Sequence, residues 1–334
     1  MTIQVGIERS IADGHSRRLF QITRSGIFVR SVTTEKCIKG RVASVASPVY
    51  LGTSAFTANG WAGAFYPKGT KSANYITYYA TRFDTVEVDS TFYHCPTVST
   101  VKGWARKTPA DFIFSVKVPR AITHEKVLLD CDIDFKQFIE TMTFLGDKLG
   151  PMVFQFPFFN QNIFTSDVQF VSRLKAFFKQ LPKDYKFAVE IRNKHWLKPK
   201  LIDMLREHNV ALVLQDQSWM PGPDKLFEKF DPITADFTYI RLLGDRKGIE
   251  KITTVWNETI VDRIAELTTW VDICQKIQRR GVTIFVYANN HYSGFAPATV
   301  ELFRKIGAEK GLEIPRREVQ LPMKLAEGTL FDVS

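Results

Sequence analysis

Ionisable side chains close, or nearly close, a series of short apolar runs in this 334-residue chain, and their types suit acid–base and anion chemistry. Glu87, Lys117, Glu190, Asp216 and Arg241 are the instances that matter most. Carboxylates beside ammonium and guanidinium groups at low dielectric have shifted pKa values, which makes a poised acid, base or amine available. Fixed cations also stabilise developing negative charge most where water is excluded. These five are the candidate catalytic residues. Burying them is tolerable only when they are paired and hydrogen-bonded, so a structural salt-bridge network is the competing reading for each.

Residues so placed need strands that deliver them to one end of a common core. The apolar runs are Val49–Thr53, Thr85–Asp89, Ile113–Lys117, Met152–Gln155, Phe187–Arg192, Ala211–Asp216, Phe237–Arg241 and Ile284–Asn289, and their starts lie between 24 and 47 residues apart. That leaves room for a helix between each pair. The layout predicts one α/β domain, a (β/α)8 TIM barrel with its chemistry at the C-terminal strand ends. An open doubly wound sheet also alternates strand and helix, but eight successive units without a GxGxxG phosphate loop favour closure.

Successive strand side chains point to opposite faces. Period two therefore sends Glu87 and Asp89, Ser115 and Lys117, Val153 and Gln155, Glu190 and Arg192, Tyr239 and Arg241, and Tyr287 and Asn289 into the lumen, with Leu214 and Asp216 following suit. Helical stripes lie between the runs: Tyr75, Ile76, Tyr79, Ala80 and Phe83 make one, and Phe135, Phe138, Ile139, Met142 and Leu145 another. Further stripes are Val168, Val171, Leu174 and Phe178, and Ile264, Leu267, Val271 and Cys274. Residues 217–236 carry Pro221, Gly222, Pro223 and Pro232, which predicts a short sixth helix.

The composition, 45% apolar and 24% charged, is that of a globular protein, and no apolar stretch is long enough to span a bilayer. A cytoplasmic protein is expected. The net charge of +10 is uneven: residues 1–47 contribute +5, residues 303–334 contribute +1, and the rest only +4. The domain reading is an extension over 1–47, the barrel over 48–308 and a tail over 309–334. The arginines of the extension partly resemble an organellar transit segment, from which Glu8 and Asp13 depart. Cys37, Cys95, Cys131 and Cys274 show no CxxC or CxH spacing, so buried thiols are expected rather than a metal site or disulfides.

Four histidines, His94, His124, His195 and His291, follow strands, but no two share one element as a zinc cluster would require. Two carboxylates could hold a divalent metal such as Mg2+ or Mn2+, yet Lys117 and two arginines already compensate them. Phe56, Trp61, Phe92, Tyr93, Trp196 and Trp219 crowd the same loops, and an aromatic rim over a charged floor suits stacking on a sugar or nucleobase. Thr53, Tyr93, Arg120, His124, Gln155, Arg192, Trp196, Asn289 and Asn290 are accordingly the candidate substrate contacts.

At these positions the chain resembles the YecE-like family, a domain of unknown function whose members are TIM barrels. The resemblance covers about residues 49–305. It rests on Leu51-Gly52-Thr53-Ser54, Trp61-Ala62-Gly63, Ser90-Thr91-Phe92-Tyr93, Val116-Lys117-Val118-Pro119-Arg120, Leu149-Gly150-Pro151, Val189-Glu190 with Arg192 and Trp196, Tyr239-Ile240-Arg241-Leu242, and Asn289-Asn290. The chain departs from the family pattern at Ala55-Phe56, where Gly-Trp is usual, at Asp89, where Asn is usual, and at Asn193 and Leu243, where His is expected. A mechanism that depends on those two imidazoles does not carry over.

The leading expectation is an enzyme that binds an anionic, phosphate-bearing or nucleotide-like substrate at the barrel mouth. Lys117, Arg120 and Arg241 would supply positive charge, Glu190 or Glu87 would be the general acid or base, and His124 would close over the ligand. A phosphodiester or sugar-phosphate hydrolase, lyase or isomerase follows from that set. Two alternatives stay open: a non-catalytic protein that holds nucleic acid at the mouth or on the basic extension, and an isomerase or hydrolase of neutral sugars. In the tail, Glu327 three positions before Leu330-Phe331 resembles the peptides that dock on bacterial DNA sliding clamps. A sliding clamp is therefore an expected partner only if DNA is.

Overall fold

The computed structural model describes residues 46–314, together with the backbone of Gln21–Thr23 and Gly26–Phe28, which pair antiparallel. The rest of the N-terminal extension with Cys37, and the tail with Glu327, Leu330 and Phe331, lie outside the described residues. The described residues from Ala46 to Ile314 belong to one compact unit.

Eight parallel strands make one sheet: β1 (Val49–Thr53), β2 (Thr85–Val88), β3 (Ile113–Lys117), β4 (Leu149–Gln155), β5 (Phe187–Glu190), β6 (Val210–Gln217), β7 (Phe237–Gly244) and β8 (Thr283–Ala288). Their order is β1-β8-β7-β6-β5-β4-β3-β2, which is the succession of a (β/α)8 barrel. Around it run α1 (Tyr75–Arg82), α2 (Val98–Arg106), α3 (Asp132–Met142), α4 (Asp167–Phe178), α5 (Pro199–Glu207), α6 (Pro223–Lys229), α7 (Ile264–Gln278) and α8 (Ala296–Lys310). The proline-rich stretch does hold the short α6, which starts on Pro223 because an N-terminal helix position needs no backbone N–H. No helix among the described residues is long and apolar enough to cross a membrane.

β1 and β2, the two ends of that order, meet without a ladder between them. Tyr79 of α1 bridges the seam: its hydroxyl accepts from the Thr53 N–H at 2.8 Å and donates to the Thr85 carbonyl at 3.1 Å. The strands come close enough that a Cβ on Gly52 would lie 2.0 Å from the Thr85 oxygen, so only glycine fits.

The core has two shells. Helices pack on the outside of the sheet through residues such as Phe83, Phe138, Phe154, Leu212 and Trp270. Inside the barrel, Val153, Ala188, Ala211, Val213, Phe237, Tyr239, Phe285 and Tyr287 fill the lumen. Tyr50 stacks on Phe285 at 4.9 Å, and Tyr239 lies 4.9 Å from Tyr287, so the lumen is floored by rings and is not a pore. Two members of the expected helical stripes, Val168 and Ile264, are exposed in the first turns of α4 and α7.

β6 turns inward the face opposite to the one that alternation predicts. Ala211 and Val213 belong to the lumen, so Leu214 and Asp216 face the helices, and Gln215 and Gln217 take the inner positions. Asp216 accepts from Trp270 Nε1 and from the Tyr292 hydroxyl, both at 2.8 Å. Its carboxylate fastens β6 to α7 and to the turn after β8, away from the mouth.

Candidate functional site

Above the aromatic floor lies a layer of paired charges. Arg241 projects from β7 and is 2% exposed. Its Nη2 donates to Glu87 Oε1 at 2.7 Å, while Nη1 donates to Glu190 Oε2 and, at 3.3 Å, to Gln155 Oε1. The Tyr239 hydroxyl donates to Glu87 Oε2 at 2.6 Å, and Arg192 Nε donates to Glu190 Oε1 at 3.0 Å. Every carboxylate oxygen of Glu87 and Glu190 is thus occupied, and both residues are wholly buried.

These environments push the two acids apart. Burial raises the Glu87 carboxyl, helped by the nearby Asp89 charge and opposed by Arg241. Burial acts the same way on Glu190, but Arg241 and Arg192 together outweigh it and hold that carboxyl at about 2. Near neutral pH Glu190 is a fixed negative charge rather than a proton donor. The sequence-based role of general acid or base fits neither buried acid as placed, because no oxygen of either reaches the opening.

The open side of the layer is built by β2, β3 and β5. β2 ends at Val88, and Asp89 begins a 3-10 turn that leaves its side chain 33% exposed, with Oδ1 3.2 Å from Lys117 Nζ. Lys117 also lies over the Phe92 ring at 4.4 Å. Thr91 locks this corner, its hydroxyl donating to the Lys117 carbonyl at 2.8 Å and accepting from the Lys117 N–H at 3.0 Å.

After β3 the chain makes a π-helical turn, Ala121–Glu125, followed by Val127 and Leu128 in the left-handed region at φ 47° and 66°. A β-branched residue there is strained, and such strain is tolerated where surrounding structure imposes it. The turn sets His124 against Phe92, ring centroids 4.9 Å apart. His124 Nδ1 lies 2.9 Å from Thr123 Oγ1. Burial, then the charges of Lys117, Arg192 and Arg120, lower the imidazole pKa to about 4, so it is neutral at pH 7.

The other expected contacts separate into those at the mouth and those elsewhere. Gln155, Arg192 and Lys117 are at the mouth; Arg120 is exposed at its edge and paired with Glu125 at 2.9 Å. Tyr93 is 69% exposed beside Phe92, an outward ring rather than packing. Thr53 points outward to Tyr79, because the inner position on β1 is Gly52. Trp196 packs among Phe159, Phe164 and Phe170 over α4. Asn290 Oδ1 accepts from Trp61 Nε1 at 3.2 Å and from the Ala296 N–H at 3.0 Å, pinning the first loop to the last. Asn289 caps the turn Asn290–Ser293 by accepting from the His291 N–H at 3.0 Å.

Gln215 and Gln217 are site residues that the sequence reading did not include. Their signal was present in the pair of amides flanking Asp216, but four apolar residues before them hide the parity. Asn193, which stands where the family pattern has His, ties the loops after β4 and β5 together through both its amide atoms and Phe159. Leu243 is buried at the end of β7, where Gly244 at φ 68° lets the strand turn against His291 and Tyr292. Among the described residues no group of three or more His, Cys, Asp and Glu converges to hold a metal ion.

A sequence profile described as "Protein of unknown function DUF72" matches residues 50–322. UPF0759 protein YecE of Escherichia coli K12 is 30% identical over 115 residues, which are 34% of this chain and 40% of that protein. The match therefore spans about two fifths of that relative. UPF0759 protein YunF of Bacillus subtilis is 28% identical over 296 residues, covering 76% of this chain and 100% of that protein. A crystal structure of a DUF72 family protein from Thermotoga maritima superimposes with a TM-score of 0.61 at 28% identity, over 78% of this chain and 98% of the other. A DUF72 family protein from Enterococcus faecalis shares the fold at 21% identity, with a TM-score of 0.57 over 78% of this chain and 95% of the other.

Proposed function

The chain belongs to the DUF72 family, proteins of unknown function, and from that footing we propose that its barrel is an enzyme holding a small phosphate-bearing anion at the C-terminal mouth. One juxtaposition carries the reading: Lys117 and His124 both pack on the Phe92 ring, and the charges of Lys117, Arg192 and Arg120 all act on that neutral imidazole. Arg192 is 28% exposed, and only its Nε has a hydrogen-bond partner among the described residues, Glu190. Its two terminal nitrogens are the fork that matches a phosphate.

In this reading Arg241, Glu87 and Glu190 are the frame. Glu190 orients Arg192, and Arg241 ties both acids into one rigid layer, so the outer cations are presented without further ordering. In this reading the Thr123 hydroxyl, 3.4 Å from the Pro119 carbonyl and 2.9 Å from His124 Nδ1, donates to the former and accepts from Nδ1–H. That tautomer leaves Nε2 as a lone-pair nitrogen able to take a proton. An anion settled among the three cations cancels much of their field and raises the basicity of His124, so binding draws in the proton that the chemistry needs.

Calorimetry with inorganic phosphate and a panel of phosphomonoesters tests this. Arg192→Ala and Lys117→Ala are each expected to weaken binding by about tenfold or more, the worth of one charged hydrogen bond. Runs with sulfate, whose own charge is constant, at about pH 5 in buffers of different ionisation enthalpy should show proton uptake that His124→Gln abolishes. No phosphate or phosphomonoester binding at millimolar ligand, or binding indifferent to both cation substitutions, would refute the assignment.

A further inference from the structure

On the β6 side of the mouth stands a second set of polar atoms, which phosphate alone leaves unused. Gln215 continues the inner face of β6 above Ala211 and Val213, Gln217 follows it past a shift in the β6–β7 ladder, and the two are only 5% and 9% exposed. The Gln215 amide is oriented by its own bond: Nε2 donates to the Ile191 carbonyl at 2.7 Å, which fixes Oε1 as the opposite end. That oxygen has no hydrogen-bond partner among the described residues, and neither has Oε1 of Gln217. Arg241, the ladder partner of Gln215, has an unpartnered Nε in the same layer.

Buried amide oxygens are almost always satisfied, because an open one forfeits the hydrogen bonds it would make in water. Two such acceptors at the end of one strand call for a molecule that brings donors. They cannot be filled from below, where Tyr239 and Tyr287 close the lumen. Arg192 follows β5, the strand next to β6, and adjacent strands lie only about 4.8 Å apart. A ligand that reaches both is compact, with hydroxyl groups within a few atoms of its anionic group.

We propose that the anion held at this mouth is polyhydroxylated, a sugar phosphate or sugar acid whose charged group lies on Arg192 and Lys117 while its hydroxyls donate to Gln215 and Gln217. The inference rests on the cationic site above: a sugar phosphate narrows that reading to a substrate class, and a sugar acid keeps its cations with a carboxylate in place of phosphate. A site built to accept hydrogen bonds from hydroxyls discriminates strongly against analogues that lack them.

The test measures binding of five probes to the intact protein by calorimetry: inorganic phosphate, a hexose 6-phosphate, a hexonate, the free hexose, and cyclohexyl phosphate, which keeps ring and charge without hydroxyls. The hexose phosphate or the hexonate should bind roughly tenfold or more tightly than cyclohexyl phosphate. Which of the two it is identifies the anionic group. Gln215→Leu and Gln217→Met should each bring the ratio of hexose phosphate to inorganic phosphate affinity toward unity, and the inorganic phosphate measurement on the same variants shows that they are folded. Equal binding of cyclohexyl and hexose phosphates, or a ratio untouched by both glutamine substitutions, overturns the polyhydroxylated class and leaves the anion site standing. Failure of every anion, inorganic phosphate included, overturns the anion site and this inference with it. Tight binding of the free hexose, undiminished by Arg192→Ala, does the same.

Discussion

Arg241 decides what the acids around it can do. One guanidinium faces Glu87 and Glu190, and both carboxylates are buried, so each needs it in order to stay charged. Removing one partner of a buried ionic group leaves the others uncompensated and costs about 3–5 kcal/mol. Arg241→Met is therefore expected to lower the unfolding free energy by about that much in urea denaturation. Adding Glu87→Gln and Glu190→Gln to the same chain should recover part of the loss, since two uncharged amides tolerate burial better than two bare carboxylates. A loss below about 1 kcal/mol, the range of exposed ion pairs, would mean that the layer is solvated and is not a frame. Such coupling also explains why reactive-looking acids in the sequence became scaffolding. Residue type marks the charge, whereas the number of donors around it determines whether any lone pair remains for a substrate.

The weakest join in the sheet is the seam between β1 and β2, and α1 holds it. Tyr79→Phe removes the hydroxyl that satisfies both the Thr53 N–H and the Thr85 carbonyl, at an expected cost of about 1–3 kcal/mol for orphaned buried groups. Hydrogen exchange at the Thr53 amide should accelerate in that variant while amides in the middle of β7 keep their protection; unchanged exchange at Thr53 would show that the strands hold each other without the tyrosine. Elements like β2 were legible in the sequence because their outward face is β-branched and their inward face charged, so Glu87 could be placed from alternation alone. β6 was not, since Ala211, Leu212, Val213 and Leu214 are buried on both faces and a strand of that kind carries no alternating signal. Its register with β7, which pairs Gln215 with Arg241, is what puts the Gln215 amide on the inner face. Thr53 was misplaced for a related reason: glycine at the inner position is required by a close approach to Thr85, a tertiary fact with no local trace.

Across the barrel, stability should follow pH through the groups that line its mouth. His124 is held at about 4, below the ordinary imidazole value of 6.5, so its neutral form is the one that the fold favours. A depressed pKa contributes stability that is present above the unfolded value and is lost as pH falls toward the folded one, here between 6.5 and about 4. Glu190 adds a second window of the same sign, between 4.5 and about 2. Glu87, displaced upward, works in the opposite sense above 4.5 and so offsets part of the upper window. Urea titrations across this range should show the folded state weakening in both windows, with the upper one flattened by His124→Gln and the lower one by Glu190→Gln. Sulfate, whose charge is constant over the upper window, makes the link to function. If it binds among Lys117, Arg120 and Arg192, it raises the His124 pKa, and the proton that destabilises the empty site then destabilises the filled one less. The increment in unfolding free energy given by sulfate should therefore grow as pH falls from 6.5 toward 4, and His124→Gln should make it independent of pH. An increment that is constant across that window in the unsubstituted protein would separate His124 from the anion site.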